Sequence, residues 1–315
     1  MPRLGKEYSL NFYGGEPLLC FGLVKKAVYF AEKLGRESGS RPRYSLTTNG
    51  SLITAEAIRL FNKYRFALEI SFDGTAQETC RQEGSSARII RNIQRLLACP
   101  DIQLEVNSVF TPGTVQHLSE SARIILDLGV PSVQVSISAI ERWPKVSLRR
   151  LRAEMKALRE VAIENFRRTG NVGIANFKGS RGKGFFFCAG GQDRFAIAPD
   201  GGLWGCFLFP GFFRGKEKTA EFRKYYFGRV NDLAVSLKKT IPRVAAKYAR
   251  LSLDNFSTSL GPCLFCPEFE TCAVCPVAAA LSGSPLGKIP DDVCEIQRIQ
   301  LRERRKLDKE LTGAS

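Results

Sequence analysis

Four cysteines within thirteen residues, in the run CLFCPEFETCAVC from Cys263 to Cys275, restrict what the C-terminal part of this chain can become. Cysteines two residues apart put two thiolates on one tight turn, and two such pairs close together can enclose a soft metal centre. Cys188, Cys206 and Cys294 raise the number of candidate ligands beyond residue 187 to seven. Seven thiolates are too many for one tetrahedral centre and one short of two complete ones. The pattern therefore implies one filled site and one with an open position.

The rest of the sequence fixes the context of those thiols. The N-terminal run MPRLGKEYSLNFYGG holds no apolar signal core ahead of a cleavage site, so the ten cysteines read as reduced thiols or metal ligands. Cytoplasm is the expected compartment. No apolar stretch approaches the roughly twenty residues needed to span a bilayer, and the most apolar segment, Leu203 to Phe213, is short and carries Gly and Pro. No membrane partner is expected. Net charge is +16, from 47 Lys and Arg against 31 Asp and Glu, which is compatible with nucleic acid, an acidic substrate or a solvated basic surface. Acids interleave with the bases of the tail RIQLRERRKLDKE, which favours a salt-bridged helix face over a nucleic-acid footprint. The single histidine, His117, stands at a helix start and reads as a surface or capping residue.

Upstream, short β-branched or aromatic runs alternate with helical patterns, the signature of a parallel sheet with crossover helices. Strands are expected over Glu7 to Tyr13, Arg43 to Asn49, Ala67 to Asp73, Ile102 to Phe110 and Ser132 to Ser138. Helices are expected over Gly22 to Leu34, Thr54 to Lys63, Ser86 to Ala98 and Val115 to Leu128, with a long charged one over Ser147 to Arg168. Residues 1–169 form one domain on this reading, the Gly- and Lys-rich 170–184 a linker, and 185–315 the cysteine module with a basic C-terminal helix.

In parallel α/β architectures ligands sit at the C-terminal ends of strands, and there the first three strands carry conspicuous sequences. The first ends in Gly14-Gly15-Glu16-Pro17, the second in Thr47-Thr48-Asn49-Gly50, the third in Ser71-Phe72-Asp73-Gly74. Each alone could be a plain turn. The two glycines let a ligand approach the backbone, and Glu16 offers an acceptor for an ammonium group.

With GGEP, TTNG and SFDG at successive strand ends, the chain resembles the radical S-adenosylmethionine enzymes, and its cysteine region resembles the SPASM module of their peptide-modifying members. Cys188, twelve residues, Gly201, four residues and Cys206 fit that module's opening, and the later cluster fits with two residues rather than three between Cys272 and Cys275. The resemblance implies a partial (β/α) barrel lacking its first strand, followed by a small cysteine-rich iron-sulfur module. It implies that Cys263, Cys266, Cys272 and Cys294 hold one auxiliary [4Fe-4S] cluster, and that Cys188, Cys206 and Cys275 hold a second. It also implies that Gly14, Gly15, Glu16 and Pro17, with Asn49, Ser71, Asp73 and Arg81, bind S-adenosylmethionine. A peptide or protein would be the substrate, and a flavodoxin or ferredoxin the electron donor.

The family's CxxxCxxC loop, whose thiolates hold the cluster that cleaves the cofactor to a 5'-deoxyadenosyl radical, is absent from the sequence. Cys20, Cys80 and Cys99 are too scattered to imitate it. The chain begins at what would be the family's second strand, so truncation is the expected explanation, with Glu7 to Tyr13 left as an exposed edge. The sulfatase-maturing subgroup carries an aspartate after the cysteine equivalent to Cys206, where this chain has Phe207. The alternatives are a non-catalytic iron-sulfur scaffold and a zinc module binding nucleic acid. The CxxC spacing is too short for a zinc ribbon.

Overall fold

The computed structural model describes residues 7–81, 83–178, 190–191, 193–232, 241–248 and 256–313, and divides into two compact units. The first unit comprises 1–138, 149–178 and 302–315; the second comprises 139–148 and 179–301.

In the first unit, β1 (Glu7–Phe12), β2 (Arg41–Thr48), β3 (Ala67–Ser71), β4 (Gln103–Phe110) and β5 (Val133–Ile137) form one parallel sheet in that order. The crossovers are α1 (Phe21–Ser38), α2 (Ala55–Lys63), the short α3 (Gln77–Cys80) with α4 (Ser86–Leu97), and α5 (Leu118–Asp127). The long α6 (Lys145–Thr169) follows. This is the expected α/β sheet, with each motif at the C-terminal end of its strand. Gly14 at φ +136° and Gly50 at φ +76° take conformations that end an extended chain. α1 runs past its expected end and stops where Gly39, at φ +69°, sends its N–H back to the Gly35 carbonyl.

Buried parallel strands are ordinarily apolar throughout, because helices cover both faces. Here the strands alternate. Tyr44 and Leu46, Leu68 and Ile70, Leu104 and Val106, and Val133 and Val135 are buried. They form one face of the core with Val24 and Val28 of α1, Phe61 of α2, Ile89 and Ile93 of α4 and Ile125 of α5, which recur at helical spacing. The other face, with Thr47, Glu69, Ser71, Glu105, Asn107, Gln134 and Ser136, is polar and half-buried. β1 pairs with β2 on one side, has no fully buried residue, and has no second strand neighbour among the described residues.

Past β5 the chain returns to the sheet within the segment read as a linker. Ile174 forms a parallel bridge with Val133, the Asn176 side chain exchanges two hydrogen bonds with the Val135 backbone (2.8 and 2.7 Å), and Phe177 is buried. Residues 179–184 of that segment, and 185–189 after it, lie outside the described residues.

The second unit holds two small cores. A three-stranded antiparallel sheet of β6 (Ala196–Ile197), β7 (Gly202–Trp204) and β8 (Tyr226–Arg229) packs with α7 (Phe209–Phe212), α8 (Ala220–Tyr225) and α9 (241–248). Its core is aromatic: Trp204, Phe209, Phe213, Tyr225 and Tyr248 interlock with ring centroids about 5 to 6 Å apart. The other core joins the hairpin of β9 (Ser257–Thr258) and β10 (Gly261–Pro262) to α10 (Pro276–Ala280) and the start of α11 (Asp291–Thr312), around Phe256, Ala279, Ile289 and Val293. Asp292 fastens residues 142–143 to this unit, accepting from the Trp143 N–H (2.8 Å) and Arg142 (3.2 Å). No helix among the described residues is long and apolar enough to cross a membrane.

Candidate functional site

At the strand ends of the first unit, the motif residues bind one another before they bind anything else. Glu16 Oε1 accepts from the Leu18 N–H (3.0 Å) and the Thr48 hydroxyl (2.7 Å), while Oε2 accepts from the Asn49 N–H (2.8 Å). The carboxylate thus ties the loop after β1 to the end of β2, with about one of its four acceptor positions left. Pro17 opens a 3-10 turn that Glu16 caps. Gly14 and Gly15 face open space, with no atom within 4 Å of where a Cβ would stand. They are the places where a ligand can reach backbone. Asn49 turns its Oδ1 to the Ser51 N–H (2.8 Å) and hydroxyl (2.6 Å).

Asp73 is buried and takes a forked ion pair from Arg81, Nε to Oδ2 at 2.6 Å and Nη2 to Oδ1 at 3.2 Å. Its Oδ1 also accepts from the Val109 N–H at 2.8 Å, which joins the ends of β3 and β4. Gly74 follows at φ +59° with Ser121 packed so closely that a Cβ would lie 2.6 to 2.8 Å from it. Ser71 ends β3 opposite Asn107 of β4. The structure therefore gathers Glu16 with Asn49, and Asp73 with Arg81, as two clasps that hold the loops.

Sequence reasoning missed the polar face between these loops. Glu69 stands opposite Thr47 on one side and Glu105 on the other. Burial pushes the Glu69 carboxyl above its ordinary range, and the neighbouring Glu105 adds to the rise, while hydrogen bonds from Asn107 (3.3 Å) and Thr47 oppose it. Glu105 accepts from the Ser132 hydroxyl (2.7 Å), which in turn accepts from Lys178 (3.2 Å). Polar residues recurring at alternate positions of adjacent strands were the signal available.

In the second unit, Cys263, Cys266, Cys272 and Cys294 line one cavity of about 260 Å³, with Phe256, Phe269 and Arg298 among its walls. β10 leads directly into Cys263, a 3-10 turn over Cys263–Phe265 brings Cys266 back beside it, and the first turn of α11 supplies Cys294. Burial first, then the thiols of Cys272, Cys294 and Cys266, push Cys263 up to about 11. Burial also raises Cys272 and Cys294, the last against the opposing pull of the Arg298 guanidinium. Among the described residues no three His, Cys, Asp or Glu side chains converge on a point suited to a single metal ion. The cavity is several times the ~30 Å³ share of one liquid water. Four thiols spread around such a space fit a multi-atom metal-sulfur group better than one tetrahedral ion.

Cys206 and Cys275 pack instead against the aromatic core. Cys206 accepts from the Leu208 N–H (3.5 Å), and Cys275 caps α10 by accepting from the Ala278 N–H (3.4 Å). Gly205, just before Cys206, donates to the buried Tyr248 hydroxyl (2.9 Å), and its carbonyl accepts from the Gly191 N–H (2.9 Å). That contact is close enough that a Cβ on Gly205 would lie 2.6 Å from Gly191. Cys188 lies outside the described residues, as does the side chain of Cys80.

No family model matches the chain. It is similar to a radical SAM cyclopropyl synthase, TigE, of Paramaledivibacter caminithermalis, at 28% identity over 116 residues, which is 36% of this chain and 24% of that protein. It spans about half of a second relative, an uncharacterised protein of Methanocaldococcus jannaschii, at 23% identity over 140 residues, 43% of this chain and 48% of the relative. Among solved structures, native anSMEcpe with bound AdoMet superposes with a TM-score of 0.75 at 17% identity, covering 99% of this chain and 87% of that one. The same protein with bound AdoMet and a Kp18Cys peptide gives a TM-score of 0.71 at 17% identity, with coverage of 98% and 86%. SuiB of Streptococcus suis bound to S-adenosylmethionine gives a TM-score of 0.58 at 16% identity, covering 91% of this chain and 66% of that one.

Proposed function

We propose, for a chain of the radical S-adenosylmethionine and SPASM fold, that it supplies the cofactor-binding sheet and auxiliary cluster module of a peptide- or protein-modifying radical enzyme. The observation that carries this reading is the gathering of Cys263, Cys266, Cys272 and Cys294 around one cavity. Supporting it are the strand-end motifs, and solved neighbours bound to AdoMet and, for one of these proteins, also to peptides.

In this reading the four cysteines hold a [4Fe-4S] cluster, and Cys206 and Cys275 with Cys188 hold a second. Such clusters supply a store for one electron at a time. The chain's own residues do the positioning. The exposed backbone of Gly14 and Gly15 accepts the cofactor's amino group. Glu16 holds that loop against Asn49, and Asp73 with Arg81 fixes the loop after Ser71 beside the ribose or carboxylate. The polar face carrying Glu69, Glu105 and Asn107 offers the substrate hydrogen-bond partners. An external donor such as a flavodoxin or ferredoxin provides electrons. The sequence contains no CxxxCxxC, so no step is assigned to a cofactor-cleaving cluster.

The test is anaerobic reconstitution with iron and sulfide, followed by metal and acid-labile sulfide analysis and calorimetry with S-adenosylmethionine. Bound iron with sulfide is expected, reduced but not abolished by Cys266→Ala, together with saturable cofactor binding. Zinc without sulfide would overturn the cluster reading, and absence of cofactor binding by loaded protein would overturn its first half.

A further inference from the structure

The cavity with four cysteines has one charged wall that the ligand pattern does not explain. Among its lining residues Arg298 is the one cation, and Glu268 the one carboxylate. Arg298 follows Cys294 by four positions on α11, so the two share a helix face. Helical side chains lean toward the N-terminus, the direction of the turn bearing Cys294, and both residues line the cavity. Among the described residues Arg298 makes no ion pair with a carboxylate, although Glu295 and Asp291 lie close enough to act on Cys294.

From this placement we infer that Arg298 sets the reduction potential of the metal-sulfur group held by Cys263, Cys266, Cys272 and Cys294, by offsetting the charge that reduction adds. The inference rests on the cluster reading given above. The four thiolates outweigh the positive charge of a metal-sulfur core, so the group is anionic, and one-electron reduction adds one further negative charge. A cation at the wall, even one as exposed as Arg298, stabilises the reduced form more than the oxidised one. Net charge around a cluster is among the levers that place its potential, and residues around the ligands commonly tune such sites. Arginine suits the task because it stays charged at all accessible pH. Arg298 is a positioning and tuning residue in this account, not a catalytic one.

The experiment compares the reconstituted full chain with Arg298→Gln, Arg298→Lys and Arg298→Glu variants. Iron and sulfide content are measured first, and then the midpoint potential by redox titration of the paramagnetic signal that Cys266→Ala removes. Arg298→Gln is expected to keep its iron and sulfide and to shift to a more negative midpoint. Arg298→Glu should shift further in the same direction, and Arg298→Lys should return close to the parent. A loaded Arg298→Gln variant with an unchanged midpoint overturns the inference. So does an Arg298→Lys variant as displaced as the glutamine one, which would make shape rather than charge the cause. Loss of the group from the Gln and Lys variants alike also overturns it, since arginine would then be a structural anchor. A parent chain that takes up no sulfide overturns the cluster reading itself, a result distinct from these.

Discussion

Gly15 and Gly74 show how differently two glycines in similar motifs are used. Around Gly15 nothing lies within 4 Å of the position an added methyl would take, and its φ is not in the left-handed region. Gly15→Ala should therefore change stability by less than ~0.5 kcal/mol. If its backbone receives the cofactor, the same substitution should weaken S-adenosylmethionine binding severalfold in calorimetry. Gly74 combines φ +59° with Ser121 backbone 2.7 Å from the added Cβ, so Gly74→Ala should cost about 2 to 4 kcal/mol in denaturant unfolding. Asp73 is a similar case of structure serving the site. Asp73→Asn would leave the Arg81 guanidinium without its forked partner. A loss of about 1 to 3 kcal/mol is expected, the range for hydrogen bonds to a charged group, because the Arg81 left behind can reach solvent. Both clasps are legible in the sequence as binding motifs. Their hydrogen-bond commitments are not, because Glu16 and Asn49 are 33 positions apart along the chain.

Between strands, register decides what sequence leaves open. Glu69 and Glu105 are single acidic letters inside two separate runs, and their adjacency exists only because β3 and β4 pair Glu69 with Glu105. Burial raises the Glu69 pKa, and the Glu105 carboxylate beside it on the same half-buried face adds to the rise. An acid whose folded pKa is raised binds its proton more readily in the native state. Its contribution is favourable at pH below the unfolded carboxylate value and is lost as pH rises through the folded one. Glu69→Gln should thus stabilise the protein at neutral pH, and the gain should vanish as the pH falls below about 4. Urea midpoints measured across that range would check it, and a gain that persists in acid would contradict the assignment. The strands and helices themselves were legible, because alternation in β2 to β5 and helical spacing in α1, α4 and α5 give unambiguous periods. Their ends were less so, since they depend on caps such as Gly39 and on where each motif leaves its strand.

Across the whole molecule, the chain visits each unit more than once. Residues 302–315 belong to the first unit, where Arg159 of α6 is buried against Glu303 (3.1 Å) and also pairs with Glu310 and Glu160. Arg159→Leu leaves Glu303 buried, with Lys306 as its remaining cationic neighbour (2.8 Å), and should cost about 3 kcal/mol in thermal or denaturant unfolding. A further Glu303→Leu should recover part of that loss, because a buried pair replaced by apolar groups is often close to neutral. A linear reading places one boundary between sheet and cysteine module, and cannot see such returns. By itself the sequence determined the period of each element, the sites where glycine interrupts a strand, and a soft-metal composition, since these depend on neighbours within a few residues. Tertiary structure alone decided which carboxylates meet across β3 and β4, and which cation lines the cysteine cavity. It also decided that Cys275 packs with Cys206 on the aromatic core while Cys263, Cys266, Cys272 and Cys294 surround one cavity. The physical reason is that contact across a sheet or a core depends on register and packing, which bring together residues whose separation along the chain carries no local signal.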